Sequence, residues 1–171
     1  FAIVHLDIDD LKEINDMFGQ EIGDEYIRYF ASILNEQIKK PDFAARFSGD
    51  PFVILIYNYN NEKELSYYLD YLFSIIKRPW KAQGTDILMT VSGGVAVYPE
   101  HGETLSQMMQ KAEIAMVEQK EKGKNGYTFF QPKMYENTLK IIRLNKRLRE
   151  AVYKSEFQLY YQPQVDLVTE E

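Results

Sequence analysis

The sequence predicts an α/β fold in which short strands alternate with amphipathic helices. Three runs rich in β-branched and aromatic residues, at 1–6, 43–47 and 52–57, have the length and composition of strands. Two longer stretches, at about 24–39 and 62–77, place apolar residues three and four positions apart, as helices with one buried face do. We therefore expect a sheet that is covered by helices.

A tight turn joins the second and third of these strands. Ser48, Gly49, Asp50 and Pro51 stand between them, and this composition is typical of turns. The two strands should therefore form an antiparallel hairpin with the carboxylate of Asp50 at its tip. Pro51 can open a strand but has no backbone N–H to donate. On these residues alone, an ordinary surface hairpin is the alternative.

The first strand ends in a cluster of carboxylates. Asp7, Asp9 and Asp10 follow the apolar residues 1–6. Close carboxylates repel one another unless positive charge neutralises them, and Mg²⁺ takes one or two carboxylates together with phosphate oxygens. Asp7 and the hairpin residue Asp50 could supply such a pair. The alternative is that Asp9 or Asp10 only caps the helix that follows.

Helices and strands continue to alternate along the chain. We expect a short helix before a turn at Gly19, a longer helix from about Asp24 to Lys39, and a helix at 62–77 with Asn61 as its N-cap. Residues 85–89 and 90–97 should form adjacent strands. The next elements are a helix that begins at Thr104 or Ser106, a strand at 127–130, a charged helix at 133–154 and a strand at 156–167.

Two smaller features of the sequence have ordinary structural interpretations. Gly93 and Gly94 suggest a buried central strand that its neighbours approach closely. His101 lies in a predicted turn and is expected to be solvated. His5 lies in the first strand and is expected to be a core histidine with its hydrogen bonds satisfied.

The composition limits the classes of function. The 171 residues suffice for one domain and a little more, and with 45% hydrophobic and 27% charged residues we expect a packed core. The net charge of −6 argues against non-specific binding to nucleic acids or anionic membranes. The chain has no cysteine, which excludes disulfides and thiolate metal sites. No apolar run approaches the ~18 residues of a membrane span. No signal peptide is visible, and we expect a piece of a longer protein.

Several separated motifs resemble those of the GGDEF domain, the diguanylate cyclase family. Residues 7–16, followed by Gly19 and by Gly23-Asp24, are similar to the opening of that domain. The hairpin residues 48–52 stand where the family has its name-giving motif. The resemblance covers about residues 1–130. It implies a central, mostly antiparallel sheet flanked by helices, as in the nucleotidyl-cyclase palm.

The resemblance also implies a binding site for GTP. Positions matching Asn15 and Asp24 bind guanine in the family, and those matching Lys120 and Lys124 contact triphosphate oxygens. An amide and a carboxylate suit the edge of guanine, but without the family we would favour helix caps for Asn15 and Asp24. Gly49 is also expected to bind the nucleotide, because glycine lets a backbone approach a ligand closely.

Mg²⁺ is the cofactor that the resemblance implies. Asp7, the backbone carbonyl of Ile8 and Asp50 would hold it, and Asp50 also matches the position proposed as the proton acceptor. In the family, two GTP molecules meet across a dimer, and the 3′-hydroxyl of one attacks the α-phosphate of the other. A homodimer of the full-length protein is therefore expected.

The hairpin departs from the family's pattern at two positions. Ser48 replaces a glycine where a phosphate should lie close, and Pro51 replaces an acid. Losing a carboxylate from a metal site should cost several kcal/mol of transition-state stabilisation, or ~10²-fold or more in rate. Lys124 also stands where arginine is usual, and Gln20 where histidine is usual. The leading hypothesis is a degenerate GGDEF domain that no longer makes cyclic di-GMP and instead binds GTP or dimerises.

The end of the chain has a different character. Residues 131–154 are expected to form a linker helix, and residues 155–171 resemble the first strand of an EAL domain. EAL domains are cyclic di-GMP phosphodiesterases that often follow GGDEF domains. The resemblance implies that the degenerate domain regulates an EAL domain in the same chain. We expect a cytoplasmic location, with a membrane anchor elsewhere in the parent protein left open.

Three other functions stay open from the sequence: retained cyclase activity, a receptor for cyclic di-GMP, and a structural dimerisation module. The family's product-inhibition site is an Arg-x-x-Asp sequence just before the hairpin. Lys39 and Asp42 stand at its two ends here. Because lysine lacks the bidentate geometry of arginine, we expect this vestigial site to be weak or absent.

Overall fold

The computed structural model describes residues 1–46, 51–57, 59–82 and 84–162. Strands and helices alternate along them, as the sequence predicts. In chain order the elements are β1 (Ala2–Ile8), α1 (Leu11–Phe18), α2 (Gln20–Gln37), β2 (Phe43–Arg46), β3 (Phe52–Ile56), α3 (Glu62–Ile76), β4 (Trp80–Ala82), β5 (Thr85–Ile87), β6 (Val91–Val97), α4 (Leu105–Glu121), β7 (Gly126–Phe129) and α5 (Pro132–Tyr153).

Five strands form the central sheet in the order β2-β3-β1-β6-β7. The β2–β3, β3–β1 and β1–β6 pairs are antiparallel, and β6–β7 is parallel. The predicted hairpin is present, since Arg46 pairs with Phe52 across β2 and β3. The expected α/β class with a central, mostly antiparallel sheet flanked by helices is confirmed.

The two faces of β1 point into different cores, because successive side chains of a strand alternate. Ala2, Val4, Leu6 and Ile8 lie in the large core that also holds buried residues of α2 and α3. Ile3 packs instead with Met108 and Ala112 of α4. Helices therefore cover both faces of the central strand, and any side chain at its end is held on a defined side of the sheet.

Helix α4 lies very close to the sheet at Gly94. A Cβ atom at this position would overlap the carbonyl oxygen of Ala112 and the amide nitrogen of Met116. Since these are backbone atoms that cannot move alone, only glycine lets α4 lie this close. The prediction of a closely packed central strand is confirmed, because six of the seven residues of β6 are buried.

Two predicted boundaries are wrong. Helix α2 begins at Gln20 rather than near Asp24, because Gly19, with φ of 89°, reverses the chain between α1 and α2 in a single residue. Residues 85–89 do not form a strand beside β6. Strand β5 pairs with β4 in a separate two-stranded sheet, where Gly84 at a φ of 84° supports the local reversal.

The helix starts at Asn61 and Thr104 are confirmed. The Asn61 side chain accepts a hydrogen bond from the amide of Glu64, at 3.0 Å. Thr104 and Gln107 form a reciprocal capping box at the start of α4. These caps satisfy backbone donors that the first turn of a helix leaves unpaired.

His101 is buried rather than solvated. Its Nδ1 accepts a hydrogen bond from the amide of Val97, at 2.9 Å, and its ring meets Phe130 edge to face. Burial lowers the pKa of His101 below 6.5, with Lys111 contributing in the same direction against Glu100. His5 is partly buried as expected, with Nδ1 3.2 Å from the sulfur of Met116, and burial lowers its pKa too.

The chain divides into two compact units, residues 1–135 and 136–171. In the second unit, the described residues comprise the rest of α5 and residues 154–162, which have no regular secondary structure apart from a turn. The strand expected at 156–167 is not formed over 156–162, because a single strand has no neighbour to supply its hydrogen bonds. Residues 163–171 lie outside the described part.

No helix in the described ranges combines the length and hydropathy needed to cross a bilayer.

We predict that acidification destabilises the protein through His101. Its folded-state pKa lies below the unfolded value of 6.5, so the unfolded chain binds more protons and stability falls as the pH drops through 6.5. The measurement is urea denaturation between pH 7.5 and pH 5.5. His101→Asn keeps an acceptor for Val97 without the titration and should reduce this dependence to the part that His5 contributes. An unchanged pH profile in that variant would contradict the assignment.

Candidate functional site

Asp7 and Lys120 meet at the end of the central strand. Lys120 Nζ donates to Asp7 Oδ1 at 2.6 Å, and both side chains are partly exposed. His5 contacts Met116 on the same two elements. Two residues of a strand rise ~6.7 Å, and four residues of a helix rise ~6 Å. The distance from His5 to Asp7 along β1 therefore nearly equals the distance from Met116 to Lys120 along α4, and both pairs of residues can meet. The structure thus brings together the predicted metal ligand and one predicted phosphate ligand.

Asp9 is a buried acceptor for three hydrogen bonds. It is 3% exposed. Its Oδ2 accepts from Thr90 Oγ1 at 2.7 Å and from the amide of Asn125 at 3.1 Å, and its Oδ1 accepts from Ser92 Oγ at 2.6 Å. The sequence did not single out Thr90, Ser92 or Asn125, because they are 80 or more positions from Asp9. Asp9 therefore does not cap α1.

Asp10 occupies the N-cap position of α1 but does not cap it with its side chain. It adopts a left-handed conformation with φ of 57°, and its side chain makes no capping hydrogen bond. It pairs instead with Lys124, and this hydrogen bond raises the pKa of Lys124. The expectation that Asp9 or Asp10 caps α1 through its side chain is wrong, because tertiary partners from the far end of the chain take both carboxylates.

The turn between α4 and β7 carries Lys124. Gly123, Lys124 and Asn125 all have positive φ, of 121°, 61° and 51°. Such conformations are unfavourable for lysine and persist only where the surroundings hold them. Gln119 forms two of the holding contacts, through its backbone carbonyl to the Lys124 amide and its Nε2 to the Lys124 carbonyl. The amide of Asn125 is held by Asp9.

Asn15 of α1 packs against Gly23 of α2, the residue before Asp24. Asn15 lies inside α1 and Asp24 in the second turn of α2, so neither is the cap residue of its helix. A Cβ at Gly23 would overlap Asn15 Oδ1. Within the described part of the chain, this buried oxygen has no hydrogen-bond partner. Asp24, the residue after Gly23, is exposed. A buried acceptor without a donor is costly, so the folded structure holds Asn15 in place against that cost.

Part of the predicted metal site lies outside the described residues. Asp50 and Gly49 belong to the segment 47–50, which the structure does not describe. Ile8 is buried at the end of β1, opposite Val91 of β6. Among residues 1–46, 51–57, 59–82 and 84–162, no three acidic or histidine side chains are grouped to hold a metal. The chemistry of Asp7 suits Mg²⁺, since it is a partly exposed carboxylate that already attracts a cation.

Lys39 and Asp42 differ in their surroundings. Lys39 is exposed and makes a 3.5 Å contact to the carbonyl of Asn35. Asp42 is 9% exposed, and its Oδ1 accepts from the amide of Tyr57 at 2.6 Å. Asp42 therefore connects the segment before β2 to the end of β3 whether or not a ligand binds.

The described residues form clefts away from Asp7. One of about 350 Å³ lies between α2 and β2, and another of about 550 Å³ lies between α3 and β7. Neither is lined by Asp7, Lys120 or Lys124. The Asp7 region differs from these clefts because charged residues of two distant segments, 7–10 and 120–124, converge there.

Comparison with known proteins decides the family. The sequence model of the family described as "Diguanylate cyclase, GGDEF domain" matches residues 1–126. The chain belongs to the GGDEF domain family. The resemblance that the motifs indicated is therefore confirmed for this part of the chain.

Relatives of this GGDEF domain include much longer proteins. MucR of Pseudomonas aeruginosa, described as a bifunctional diguanylate cyclase/cyclic di-GMP phosphodiesterase, is 32% identical over 165 residues, which are 96% of this chain and 24% of MucR. NbdA of the same organism, a cyclic di-GMP phosphodiesterase, is 29% identical over 162 residues, 95% of this chain and 21% of NbdA. The chain thus spans less than a quarter of the length of these relatives.

Solved structures agree with the GGDEF fold. An EAL/GGDEF domain protein from M. capsulatus superposes with a TM-score of 0.71 at 33% identity, covering 77% of this chain and 84% of that one. The GGDEF domain of DgcB from Caulobacter crescentus, solved in complex with cyclic di-GMP, gives 0.68 at 30% identity, covering 75% and 76%.

We predict that Asp42 stabilises the GGDEF domain without any ligand. Asp42→Ala removes the acceptor for the Tyr57 amide and should lower the free energy of unfolding by about 1–3 kcal/mol. Lys39→Ala is the matched control and should change it by less than about 0.5 kcal/mol. Urea denaturation of both variants without nucleotide is the measurement. Equal effects of the two substitutions would show that Asp42 has no special structural role.

Proposed function

We propose that this chain is a degenerate GGDEF domain that binds GTP with Mg²⁺, has no diguanylate cyclase activity, and regulates an EAL domain that follows it. Membership of the family supports a role in cyclic di-GMP signalling. The proposal then depends on which parts of a nucleotide site this sequence keeps and which it has lost.

The observation that carries the proposal is the buried oxygen of Asn15. Gly23 leaves room for this side chain, and Oδ1 has no partner in the described part of the chain. The exposed carboxylate of Asp24 would accept hydrogen bonds from the N1–H and N2–H₂ groups of guanine, and the amide of Asn15 would bond the remaining acceptors of the base. A purely structural module gains nothing from an unsatisfied buried acceptor, because such a group lowers stability.

The charged end of β1 supports the binding of a triphosphate. Lys120 and Lys124 would contact phosphate oxygens, each exchanging an aspartate partner for the ligand. Asp7, the carbonyl of Ile8 and Asp50 would hold Mg²⁺, and Gly49 would let the nucleotide approach the hairpin backbone. The metal supplies neutralisation of phosphate charge. Hydrogen bonds to charged groups are worth about 1.5–3 kcal/mol each, and each lysine contributes to affinity the difference between its phosphate contact and the aspartate contact that it gives up.

Catalysis requires contacts to the transition state that binding of GTP does not require. Pro51 replaces an acid of the signature and brings neither a carboxylate nor a backbone N–H. Ser48 places a side chain where a phosphate should lie. Contacts that stabilise the ground state and the transition state equally do not raise the rate of the chemical step. The domain can therefore keep its affinity for GTP while losing the cyclase reaction.

A regulatory role follows from the proposed arrangement of the chain. We assign residues 1–130 to the GGDEF-like domain, 131–154 to a linker helix and 155–171 to the start of an EAL domain. The description of MucR gives both cyclase and phosphodiesterase activity, and that of NbdA gives phosphodiesterase activity. Binding of GTP, or formation of a homodimer by the full-length protein, would be transmitted through the linker helix to the phosphodiesterase.

Residual cyclase activity is the second candidate. Asp7, Lys120, Asn15 and Asp24 are all retained, and MucR is described as bifunctional. A receptor for cyclic di-GMP has less support. DgcB was solved with that ligand, but here Lys39 replaces the family's arginine and the described contact of Asp42 is to a backbone amide.

We predict saturable binding of Mg²⁺–GTP in calorimetric titration. Asp24→Ala should weaken this binding by at least about tenfold, because it removes a charge-assisted contact to the base. Glu36→Ala, which removes an exposed acid near the other end of α2, is the matched control and should leave the affinity unchanged. The proposal fails if the wild-type protein binds nothing at millimolar GTP, or if both variants bind equally well.

We predict that the purified protein forms no detectable cyclic di-GMP from GTP and Mg²⁺, even at concentrations that favour dimers. The double variant Ser48→Gly/Pro51→Glu restores the family's residues and should form product, measured by chromatography. Adding Asp50→Ala to the double variant should abolish that product. Formation of cyclic di-GMP by the wild type would reverse the order of the two candidate functions.

A further inference from the structure

We infer that Asp9 is a positioning residue that fixes Lys124 at the phosphate side of the site. This inference rests on the proposed nucleotide binding, and it gives a role to a carboxylate that the site does not otherwise use. Asp9 lies between the predicted metal ligand Asp7 and Asp10, but it is 3% exposed and points into the protein.

The hydrogen bonds of Asp9 join three segments of the chain. Its Oδ1 accepts from Ser92 and its Oδ2 from Thr90, which fixes the carboxylate against the start of β6. The same Oδ2 accepts from the backbone amide of Asn125. The backbone amide of Asp9 donates to the Thr90 carbonyl at 2.9 Å. The side chain of Asp9 therefore connects the residues after β1 to the start of β6 and to the backbone of the turn after α4, in addition to the side-chain pair of Asp10 and Lys124.

The turn needs such a tie because its backbone is unfavourable. Lys124 and Asn125 both have positive φ, which side-chain-bearing residues adopt only when their surroundings enforce it. Gln119 holds the Lys124 side of the turn from within α4, and Asp9, the residue after β1, holds the backbone of Asn125. The Lys124 side chain also pairs with Asp10, and β7 begins opposite Ser92 directly after the turn. Without Asp9, the Asn125 amide would lose its described partner, and a side-chain pair alone would connect Lys124 to the end of β1.

Lys120 provides an internal comparison. It lies in the last turn of α4 and is held by the helix and its packing on β1, not by the turn. Loss of Asp9 should therefore affect the contribution of Lys124 and spare that of Lys120. A general loss of stability would weaken both equally.

The test is a pair of double-mutant cycles on the affinity for Mg²⁺–GTP. Lys124→Ala should weaken binding about tenfold in the wild type and by less than about twofold in Asp9→Ala. Lys120→Ala should weaken binding by the same factor in both backgrounds. Asp9→Asn can still accept from Asn125 and Thr90 through its amide oxygen, so the Lys124 effect should return. Equal Lys124 effects in the wild type and Asp9→Ala would overturn the inference.

A second measurement separates this inference from the proposed function. Amide hydrogen exchange of the nucleotide-free protein reports the Asn125 N–H directly. Asp9→Ala should increase its exchange at least about tenfold while amides within β1 and β6 stay protected, and Asp9→Asn should keep it slow. If the wild type binds no GTP, the proposed function fails, but this measurement still shows whether Asp9 holds the Asn125 amide. An unchanged Asn125 amide in Asp9→Ala would refute it.

Discussion

The arrangement of charged residues depends on one packing constraint, the close approach of α4 to the central strands. Gly94 permits this approach because any Cβ there would overlap backbone atoms of α4. The helix then runs in step with β1, so that Met116 meets His5 and Lys120 meets Asp7. A larger residue at position 94 would push the helix outward and separate the lysine from the carboxylate.

Three neighbouring aspartates have different roles because the strand and the first turn of α1 expose them differently. Asp7 faces α4 and stays partly exposed beside Lys120. Asp9 is buried and accepts three hydrogen bonds, so neither of its oxygens is left without a donor. Asp10 is outside, with Lys124. Three carboxylates that are neighbours in the sequence are thus distributed over three separate environments, each with its own donors.

In the proposed function, catalysis can be lost while binding is kept, because the two depend on different residues. The proposed guanine ligands, Asn15 and Asp24, lie on α1 and α2, and the lysines proposed to contact phosphate lie on or after α4. Neither group includes the hairpin positions Ser48 and Pro51. A change at Ser48 or Pro51 can therefore remove transition-state stabilisation while leaving base and phosphate contacts in place.

The sequence alone determined most strands and helices through its apolar periodicity, turn residues and helix caps. These elements depend on local backbone and side-chain preferences. The same sequence features predicted the hairpin, the cap at Asn61 and the buried strand around Gly94. Only the tertiary structure decided which distant residues meet. The burial of His101 against Phe130 and the three donors to Asp9 follow from where the chain folds back, and a sequence pattern carries no distance between residues tens of positions apart. Strand β5 pairs with β4 only a few residues away, but the sequence alone did not show whether its partner would be β4 or β6. The carboxylate cluster could be recognised from the sequence, but the partner of each carboxylate could not.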